Sequence, residues 1–483
     1  MSETAYTPDA RRWRALAVCF AGGFVTMLDI SIVNVALPSM QRALDIGPTP
    51  LQLIVAGYTL AFGLTLVPFG RLGDAHGRRR MFMIAMAGFG LTSLLAGLSQ
   101  TDVQLAACRL FQGAFAGMLN PQVSGMIQQM FRGRERAKAF GFFGANVSVA
   151  TAIGPLVGGA IIALVGAQAG WRWVFFINVP ICLIVLPLAR RLLPDAPAQT
   201  QRGRLDPVGV ILIGLGTACF MAPFVVTPTS GFFDQPWRWL WLLPAAVLLP
   251  VTYLWERSYE RRYQAAVLNP GLLRTPSFIF GAALGIAWFA GFTAIMLVLT
   301  LMLQNGLGYS ALMAGLVVVP NAIVSGVTAS LSGQLVPKLG RRLVVIGLGV
   351  YVAGLIVVIV IIHVAAPAAI GWALAGALLL LGAGSGWVFS PNQTLTFQDV
   401  PPRFGSVAGA VMQVGQRVGS AVGTAVVLAV FLSGYSSRLA RLGPAEAARQ
   451  AASTALVISA AFLLIAVLIA VIDARRRAGT VNT

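Results

Sequence analysis

Apolar stretches of about twenty residues recur along the whole chain, and short polar segments rich in arginine separate them. An α-helix needs about 20 apolar residues to cross the hydrocarbon core of a bilayer. The pattern therefore predicts fourteen membrane-spanning helices, numbered as spans 1 to 14. Their predicted bounds are 15–37, 51–71, 81–99, 103–126, 138–165, 173–193, 206–227, 238–255, 276–302, 311–334, 343–363, 369–393, 404–432 and 453–473.

The composition supports a polytopic membrane protein and excludes several other classes. Of the 483 residues, 57% are hydrophobic and only 10% are charged, whereas a soluble domain carries about 25% charged residues. So little charge cannot cover a water-facing surface, which excludes an ordinary soluble enzyme, a disordered protein and a disulfide scaffold. The four cysteines fall inside apolar stretches, as expected of small core residues rather than of disulfides or metal ligands.

The distribution of positive charge predicts the topology. The net charge is +19, and 26 of the 34 lysine and arginine residues lie on one set of predicted loops, 6 on the opposite set and 2 inside spans. Because positively charged loops face the cytoplasm, both termini are predicted to be cytoplasmic. The charge is therefore a topology signal rather than a sign of nucleic-acid binding. The scarcity of lysine beside abundant alanine, glycine and arginine suggests a GC-rich bacterial genome, and hence the bacterial cell membrane.

Three glycine patterns recur at nearly one offset, which predicts an internal repeat. Gly70 and Gly77 in the loop after span 2 have the same spacing as Gly333 and Gly340 after span 10, 263 residues later. The Gly-x3-Gly pairs of spans 4 and 5 recur in spans 12 and 13, at offsets of about 270 and 265 residues. Helix n thus corresponds to helix n+8, and since eight is even the two copies have the same orientation.

A parallel repeat around two extra helices gives the fold prediction: an all-α polytopic membrane protein with fourteen transmembrane helices arranged 6+2+6. Residues 1–195 are predicted to form an N-terminal six-helix bundle and residues 263–483 a C-terminal one. Residues 196–262 are predicted to supply two inserted helices with their linkers. Parallel bundle repeats around a midplane site are the plan of a major class of secondary transporters.

The few charges embedded in the spans are the candidates for chemistry, because a charge at the bilayer centre costs about 2.5–3.5 kcal/mol. Asp29 lies well inside span 1, and Arg109 lies in span 4 with Gln112 one turn away on the same helix face. Burial favours the protonated carboxyl group and a nearby guanidinium favours the ionised one, so a balanced Asp29 is suited to load and release a proton. The alternative is a permanent Asp29–Arg109 ion pair that only holds helices together.

Arg417 in span 13 is the second embedded arginine, and it shares a helix face with Gln413. Two roles are open for it: lining a cavity, or bonding backbone carbonyls only. Spans 9 to 14 are interpreted as having no embedded acid, which confines the predicted proton chemistry to the N-terminal half. His76 and His363 lie in a loop and at a helix end, so no metal site is predicted.

Span 5 contains Gly154, Pro155, Gly158 and Gly159, which form a flat helix face with a proline break. Small residues at this spacing let helices approach closely. The functional and structural interpretations agree here, because a bending or sliding helix contact is what a moving bundle needs.

These motifs make the sequence similar to the major facilitator superfamily, and specifically to its 14-helix drug:H+ antiporter family. The resemblance covers nearly the whole chain. The motifs that carry it are Gly70-Arg-Leu-Gly73-Asp74-Ala-His-Gly77-Arg78 after span 2, Leu28-Asp29 with Asn34-Val-Ala-Leu-Pro38 in span 1, Arg109-x2-Gln112-Gly113 in span 4, Gly154-Pro155-x2-Gly158-Gly159 in span 5, and Trp171-Arg172-Trp173 with Asn178-x-Pro180 in span 6.

The resemblance implies proton-coupled export of lipophilic drug-like compounds, or of a metabolite, by alternating access. Protons are the implied coupling ion, and no cofactor is expected. Asp29 and Arg109 are implied to couple proton movement to transport. Span 10 has no acid of the kind that some members use for dications, so a monocationic or neutral lipophilic substrate is expected.

The resemblance also implies a gate at the loop after span 2. Asp74 and Arg78 are implied to latch the cytoplasmic side, with Gly70, Gly73 and Gly77 as the glycines of the same motif. Two departures from the family pattern matter. Ala75 stands where a basic residue is usual, which is expected to weaken the latch, and Phe115 stands where glycine is common, which is expected to narrow or re-line the cavity.

The substrate cavity is expected to be lined by aromatic and polar residues of both bundles. The candidates are Phe24, Asn34, Tyr58, Phe62, Gln112, Phe115, Trp288, Phe292, Phe389, Gln413 and Arg417. Membrane lipids are the other expected partners, and a monomer is expected.

The same residues bear on other functions. A lipid exporter or flippase has the same fold and aromatic cavity, and needs a lateral opening between helices that a sequence does not reveal. An enzyme within the membrane needs clustered His, Asp, Glu or Cys, so none is predicted from one embedded acid and two remote histidines. A channel or receptor is disfavoured by the repeat and by the embedded Asp–Arg pair.

Overall fold

The computed structural model describes residues 11–46, 48–166, 168–194, 206–225, 236–263, 271–366, 369–401 and 404–481. Within these ranges the chain forms fourteen α-helices and no β-strand, which confirms the predicted all-α class. The helices are α1 (Arg12–Leu44), α2 (Pro48–His76), α3 (Arg78–Leu98), α4 (Asp102–Met130), α5 (Gly133–Val165), α6 (Gly170–Phe176), α7 (Asn178–Leu192), α8 (Pro207–Val225), α9 (Leu242–Tyr263), α10 (Pro276–Leu301), α11 (Ala311–Leu339), α12 (Arg341–Val364), α13 (Ile370–Thr396) and α14 (Gly405–Val481).

Each of the fourteen predicted spans coincides with helical structure. Span 6 is divided between α6 and α7, because the helix is interrupted at Ile177. Spans 13 and 14 both lie in α14, which is broken at Gly443, where a φ of +73° suits glycine and interrupts the helix. By length and composition, ten helical segments of the described residues are able to cross a membrane, and Val208–Phe224 is a shorter apolar helix.

The helices pack in two sets that repeat each other. In the first set, α1 packs against α5, and α2 and α3 both pack against α4. In the second set, α10 packs against α14, and α11 and α12 both pack against α13. These pairs correspond when each helix is matched with the one eight spans later, so the packing agrees with the predicted parallel repeat. We call α1–α7 the N-terminal bundle and α10–α14 the C-terminal bundle.

The repeated glycines lie where neighbouring helices come closest. A Cβ atom on Gly113 of α4 would lie 2.2 Å from the carbonyl oxygen of Tyr58 on α2. At the corresponding place in the C-terminal bundle, a Cβ atom on Gly382 of α13 would lie 2.4 Å from the carbonyl oxygen of Asn321 on α11. A side chain at either position would push the helices apart, so glycine is what permits this packing.

The two inserted helices lie beside the seam between the bundles. α8 packs against α9, and it also packs against α2 of the N-terminal bundle and α14 of the C-terminal bundle. The predicted domain boundaries near residues 195 and 262 border the stretches 195–205 and 264–270, which lie outside the described residues. These boundaries stay predictions.

The bundles meet through α2, α4 and α5 on one side and α11, α13 and α14 on the other. We call the membrane face with most of the arginines the basic face, and the other the opposite face. Inter-bundle hydrogen bonds between described residues run from the basic face, where Gln128 donates to the carbonyl oxygen of Gly405 at 3.2 Å, to the middle, where the hydroxyls of Ser148 and Ser325 lie 3.1 Å apart. All of these inter-bundle hydrogen bonds between described residues thus lie between the basic face and the middle. The bundles are therefore closed together at the basic face.

Candidate functional site

Asp29 lies inside the N-terminal bundle and is completely buried. Its carboxylate accepts hydrogen bonds from Arg109 Nη1 at 2.6 Å and Gln112 Nε2 at 3.1 Å on α4, and from Asn178 Nδ2 at 2.9 Å on α7. Arg109 also donates to Gln112 Oε1 at 2.7 Å. All four residues are at most 2% exposed. Three donors, one of them charged, suit an ionised carboxylate, so the sequence-predicted pair lies at the centre of a polar network.

Asn178 is a member of this network that sequence reasoning did not select as a site residue. It is the first residue of α7, directly after the interruption at Ile177. Its amide also donates to Ser93 Oγ at 3.0 Å, and Ser93 donates to the carbonyl oxygen of Phe175 at 2.9 Å. The available signal was an amide side chain within an apolar span, where an unpartnered polar group is costly.

A stack of aromatic and guanidinium groups connects this network with the other bundle. The guanidinium carbon of Arg109 lies 4.0 Å from the ring centroid of Tyr58 on α2. The rings of Tyr58 and Phe62 are stacked with centroids 6.2 Å apart, and the guanidinium carbon of Arg417 on α14 lies 4.4 Å from the centroid of Phe62. Guanidinium groups are attracted to aromatic faces, so Arg417 reaches across the interface to the stack.

The surroundings of Arg417 bear on the two roles left open by its sequence position. The side chain is half-buried, as is Gln413 one turn earlier. Its guanidinium lies over the ring of Phe62, which in turn stacks on Tyr58. Across the ranges that the structure describes, its guanidinium donates to no backbone carbonyl. This favours a role at the interface between the bundles over bonding of carbonyls.

The junction of α2 and α3 joins the two bundles at the basic face. The motif that the sequence predicted as a loop is largely helical, since it occupies the last turns of α2, with Gly77 between the helices and Arg78 as the first residue of α3. Arg78 donates to Asp74 Oδ1 through Nε at 2.9 Å and Nη2 at 2.8 Å, and to the carbonyl oxygen of Gly125 at 2.7 Å. Asp74 also accepts from the backbone N–H groups of Ser406 at 3.3 Å and Val407 at 3.1 Å, at the start of α14. A carboxylate is favoured at a helix N-terminus. The Asp74–Arg78 pair therefore binds the C-terminal bundle through the N-terminus of α14.

The glycines of this junction, two of them inside α2, allow the close contacts. A Cβ atom on Gly70 would lie 3.0 Å from the carbonyl oxygen of Ser406, and one on Gly73 would overlap the side chain of Gln122. Gly77 has a φ of +99°, a left-handed conformation that other residues rarely adopt. A close contact therefore explains the glycines at positions 70 and 73, and the backbone conformation explains the glycine at position 77.

The glycine motif of α5 faces α1 close to Asp29. A Cβ atom on Gly154 would lie 2.5 Å from Ser31 Cβ, and one on Gly158 would lie 2.8 Å from Ile32 Cγ1. Gly159 faces open space, since a Cβ atom there would have nothing within 4 Å. Pro155 lies inside the helix. The motif therefore places two of its glycines, but not the third, against α1.

Three aromatic candidates of the C-terminal bundle belong to one series of ring contacts, in which Phe289 lies 6.1 Å from Phe292 and 5.9 Å from Phe389. Trp288 stacks on Phe292 at 5.3 Å and meets Tyr351 edge-on at 4.6 Å, and Trp288 is only 2% exposed. Phe389 is half-buried and contacts Phe143 of α5 at 6.4 Å. Phe389 thus lies at the interface between the bundles, whereas Trp288 and Phe292 pack within the C-terminal one.

The remaining candidates lie apart from the network. Phe115 is half-buried and lies against α3, where a Cβ atom on Gly88 would overlap its ring. Phe24 is half-buried, and Asn34 is exposed on the opposite-face side of Asp29 along α1. The structure therefore brings together Asp29, Arg109 and Gln112, joins them to Arg417 through Tyr58 and Phe62, and separates Phe115 from that group.

A second buried ion pair corrects the expectation that spans 9 to 14 hold no embedded acid. Asp473, at the end of span 14, is 2% exposed and pairs with Arg341 Nε at 2.5 Å. Arg341 also donates to Asn392 Oδ1 at 2.6 Å. The sequence placed Asp473 at a span boundary, where an acid is expected to reach water. Elsewhere in the described residues, no group of three His, Cys, Asp or Glu side chains is arranged to hold a metal ion.

Comparison with known proteins agrees with the helical architecture. The family profile of the Major Facilitator Superfamily matches residues 19–424. The chain is 34% identical over 411 residues to the probable actinorhodin transporter of Streptomyces coelicolor (strain ATCC BAA-471 / A3(2) / M145), covering 85% of this chain and 71% of that protein. It is 34% identical over 416 residues to the puromycin resistance protein pur8 of Streptomyces alboniger, covering 85% and 80%.

A solved structure shares the fold. The proton:xylose symporter XylE aligns with a TM-score of 0.66 over 95% of each chain, at 15% identity. The profile match over most of the chain and the sequence relatives place this protein among transporters rather than enzymes, and its apolar helices make it a multi-pass membrane protein. The chain belongs to the major facilitator superfamily.

Proposed function

We propose that the protein exports lipophilic drug-like compounds, or a metabolite of that kind, in exchange for protons. The observation that carries the proposal is the buried carboxylate of Asp29, held by Arg109, Gln112 and Asn178 beside the interface of the bundles. The relatives named for actinorhodin transport and puromycin resistance support a drug-like cargo. The proposed coupling ion is the proton, and the proposal includes no cofactor.

The proposed proton carrier is Asp29. Protonation removes the negative charge that three donors share, and it converts one acceptor oxygen into a hydroxyl that is itself a donor. Arg109 then loses its counter-charge 2.6 Å away. The network has to rearrange, and the stack through Tyr58 and Phe62 extends from Arg109 to Arg417 of the C-terminal bundle. Proton binding at Asp29 is therefore positioned to change the contact between bundles.

The proposed gate is the contact of Asp74 and Arg78 with the start of α14. In this conformation it closes the basic face, which the excess of arginine assigns to the cytoplasm. Opening toward the cytoplasm requires that Asp74 release the backbone N–H groups of Ser406 and Val407. The proposed setting is the cytoplasmic membrane of a bacterium, with both termini inside and the protein working as a monomer in lipid.

The energy available is sufficient for concentrative export. Each proton that enters contributes about 2.3 kcal/mol per 100 mV of membrane potential, which corresponds to roughly a 50-fold concentration ratio for one neutral molecule. α8 covers the seam between α2 and α14. This packing obstructs lateral entry from the bilayer at that seam, so it favours the drug-like cargo over the alternative of a lipid exporter or flippase.

The test is proton flux in everted membrane vesicles that hold an inside-acid gradient. A panel of monocationic dyes, neutral lipophiles and lipids is added to vesicles with the wild-type protein or Asp29→Asn. We expect at least one drug-like compound to dissipate the gradient with the wild type and none with the variant. The matched control is Asp45→Asn at the far end of the same helix, an exposed residue whose left-handed conformation asparagine tolerates.

Two outcomes contradict the proposal. Equal dissipation by the Asp29→Asn protein would remove Asp29 as the carrier. Dissipation by lipids alone, with both proteins folded, would assign the protein to lipid export instead.

A further inference from the structure

Arg417 carries a positive charge for which the described residues supply no counter-charge. Arg109 carries the same charge, but the Asp29 carboxylate balances it at 2.6 Å. Arg417 is twelve residues from Gly405, about 18 Å along α14 from the basic end of the helix. Among the described residues no carboxylate pairs with its guanidinium. A charge at this depth is costly, and such residues mark substrate or ion pathways.

The hydrogen-bonding capacity of Arg417 is likewise unused. A guanidinium has five N–H donors, and throughout the described ranges those of Arg417 reach no acceptor of the protein. Phe62 covers the group at 4.4 Å, but an aromatic face does not replace oxygen acceptors. Since Arg417 is half-buried beside stacked rings, the geometry favours a ligand that brings oxygen acceptors and a flat apolar surface together.

The charge of the ligand follows from the neighbouring charges, if the proton exchange proposed above holds. With Asp29 ionised, Asp29, Arg109 and Arg417 sum to +1, and with Asp29 protonated they sum to +2. A cationic ligand is repelled in both states. An anionic ligand binds better once Asp29 is protonated, so proton and ligand would favour each other's binding, which opposes exchange. An uncharged ligand with strong acceptors avoids both problems.

We propose that Arg417 anchors the substrate, and that the substrate is an uncharged planar aromatic compound with carbonyl or phenol oxygens. The oxygens accept hydrogen bonds from the guanidinium, and the rings lie against the aromatic residues at the bundle interface, with Phe62 and Phe389 as the nearest candidates. This inference rests on the proposed export function and names its substrate class. It narrows the expectation of a monocationic or neutral substrate to the neutral one.

The experiment measures equilibrium binding to the purified full-length protein, without any proton gradient. Four probes share a three-ring frame: 1-hydroxyanthraquinone, anthracene without oxygen acceptors, anthracene-9-carboxylate, and the ammonium form of 9-(aminomethyl)anthracene. Each is tested with the wild type, Arg417→Leu, Arg417→Gln and the control Arg441→Gln. Arg441 is an exposed residue of the same helix, outside the stack.

The wild type is expected to bind hydroxyanthraquinone at least ten-fold more tightly than anthracene, the size of effect of a hydrogen bond to a charged group. Arg417→Leu is expected to abolish that preference while leaving anthracene binding unchanged. Arg417→Gln, which keeps amide donors, is expected to retain part of it. Arg441→Gln is expected to match the wild type.

Three results overturn the inference. If Arg417→Leu weakens anthracene and hydroxyanthraquinone equally, Arg417 has a packing role only. If the carboxylate or the ammonium compound binds most tightly, the charge assignment is wrong. If the wild type shows no preference for hydroxyanthraquinone, the anchor is absent. Proton flux with the same compounds separates the two claims: binding without proton exchange refutes the export mechanism, and exchange of anthracene without the preference refutes only the anchor.

Discussion

The junction of α2 and α3 and the junction of α11 and α12 carry the same Gly-x6-Gly-Arg-Arg pattern, but their arginines are held in different ways. Arg78 pairs with Asp74 near the end of α2, and that acid binds the start of α14 across the bundle interface. The second junction has Pro337 at the place of Asp74, and Arg341 instead pairs with Asp473 near the end of α14 within its own bundle. The same motif therefore makes a contact between bundles at one place and, at the other, an ion pair within one bundle that we call the brace.

The interiors of the two bundles also differ in the polar groups that they hold. The N-terminal bundle holds the network of Asp29, Arg109, Gln112 and Asn178, whereas α10, the counterpart of α1, carries no charged residue between Pro276 and Leu301. At the corresponding depth the C-terminal bundle has Trp288 and its aromatic neighbours. The proposed proton chemistry therefore belongs to the N-terminal bundle, and the counterpart region of the C-terminal bundle is aromatic.

The largest expected effect comes from breaking the brace. Asp473→Asn removes the charge that balances the buried Arg341, and breaking a buried ion pair in this way costs about 3–5 kcal/mol. We expect a large loss of stability, measured as a lowered midpoint of thermal unfolding of the purified protein. Glu446→Gln, at an exposed position of the same helix, is the control and is expected to change stability by less than about 0.5 kcal/mol. If Asp74→Asn destabilises the protein as much, the two acids do not differ in role.

The second prediction compares the close helix contacts of the two bundles. A Cβ atom on Gly423 of α14 would lie 1.9 Å from the carbonyl oxygen of Ala290, whereas one on Gly154 of α5 would meet the side chain of Ser31 at 2.5 Å. A backbone atom yields less than a side chain, so Gly423→Ala is expected to cost about 1–3 kcal/mol and more than Gly154→Ala. The unfolding midpoints of the two variants measure the difference.

Gly159→Ala is the matched control for these glycines. It points into open space, and replacing a helical glycine by alanine there is expected to be neutral or to stabilise by up to about 1 kcal/mol. A loss of stability at Gly159 equal to that at Gly154 would mean that the contacts do not explain the motif.

The sequence predicted the parts of the fold that depend on local pattern. Span length and arginine placement can be read from each segment alone. The glycines of span 5 predicted a close helix contact, as the approach of Gly154 to Ser31 illustrates. The interruption at Ile177 was not predicted, because the apolar run continues through it. The repeat was visible in the sequence because a close contact between helix backbones requires glycine at fixed positions. Contacts between side chains are made by many residue types, so they leave no such constant spacing.

The site residues were predictable only where a charged side chain stands within an apolar span, because its burial there costs free energy. Asp29 and Arg109 are conspicuous in apolar spans, while Asp473 stands at a span end, where an acid is ordinary until Arg341 is known to lie beside it. Phe115 and Phe389 are both aromatic residues in helices. Only the packing shows that the first faces α3 and the second reaches α5.

The third prediction concerns opening rather than stability. Asp74→Asn removes the charge that binds the first N–H groups of α14, which favours opening of the basic face by an estimated ten-fold, the size of one charged hydrogen bond. The measurement is maleimide labelling from the basic face of a cysteine placed at Val407, a buried position, in a protein without its native cysteines. Labelling is expected to be faster in Asp74→Asn and unchanged in Glu446→Gln, the exposed control position of α14. Equal labelling of Asp74→Asn and the parent protein would mean that Asp74 does not hold the basic face closed.

The smallest expected effect sharpens the assignment of titrating chemistry to the N-terminal bundle. Asn178→Leu removes the α7 donor from Asp29, keeps the branching and number of heavy atoms of the side chain, and leaves Arg109 and Gln112 in place. The ionised carboxylate loses one of three hydrogen bonds, so protonation becomes easier and stays complete to higher pH. The pH of half-maximal exchange in everted vesicles is expected to rise by about one unit, the equivalent of about 1.4 kcal/mol.

The other groups that face Asp29 have to stay unchanged for this shift to be informative: Arg109 on α4, Tyr58 on α2 and Cys182 on α7. Asn305→Leu, at an exposed position of the C-terminal bundle, controls for the loss of an amide and is expected to leave the pH profile where it is. A lower rate with an unmoved profile would make Asn178 a packing residue. A shifted profile at an unchanged maximal rate identifies it as a residue that positions Asp29, because a merely structural defect does not change the proton concentration at which a carrier loads.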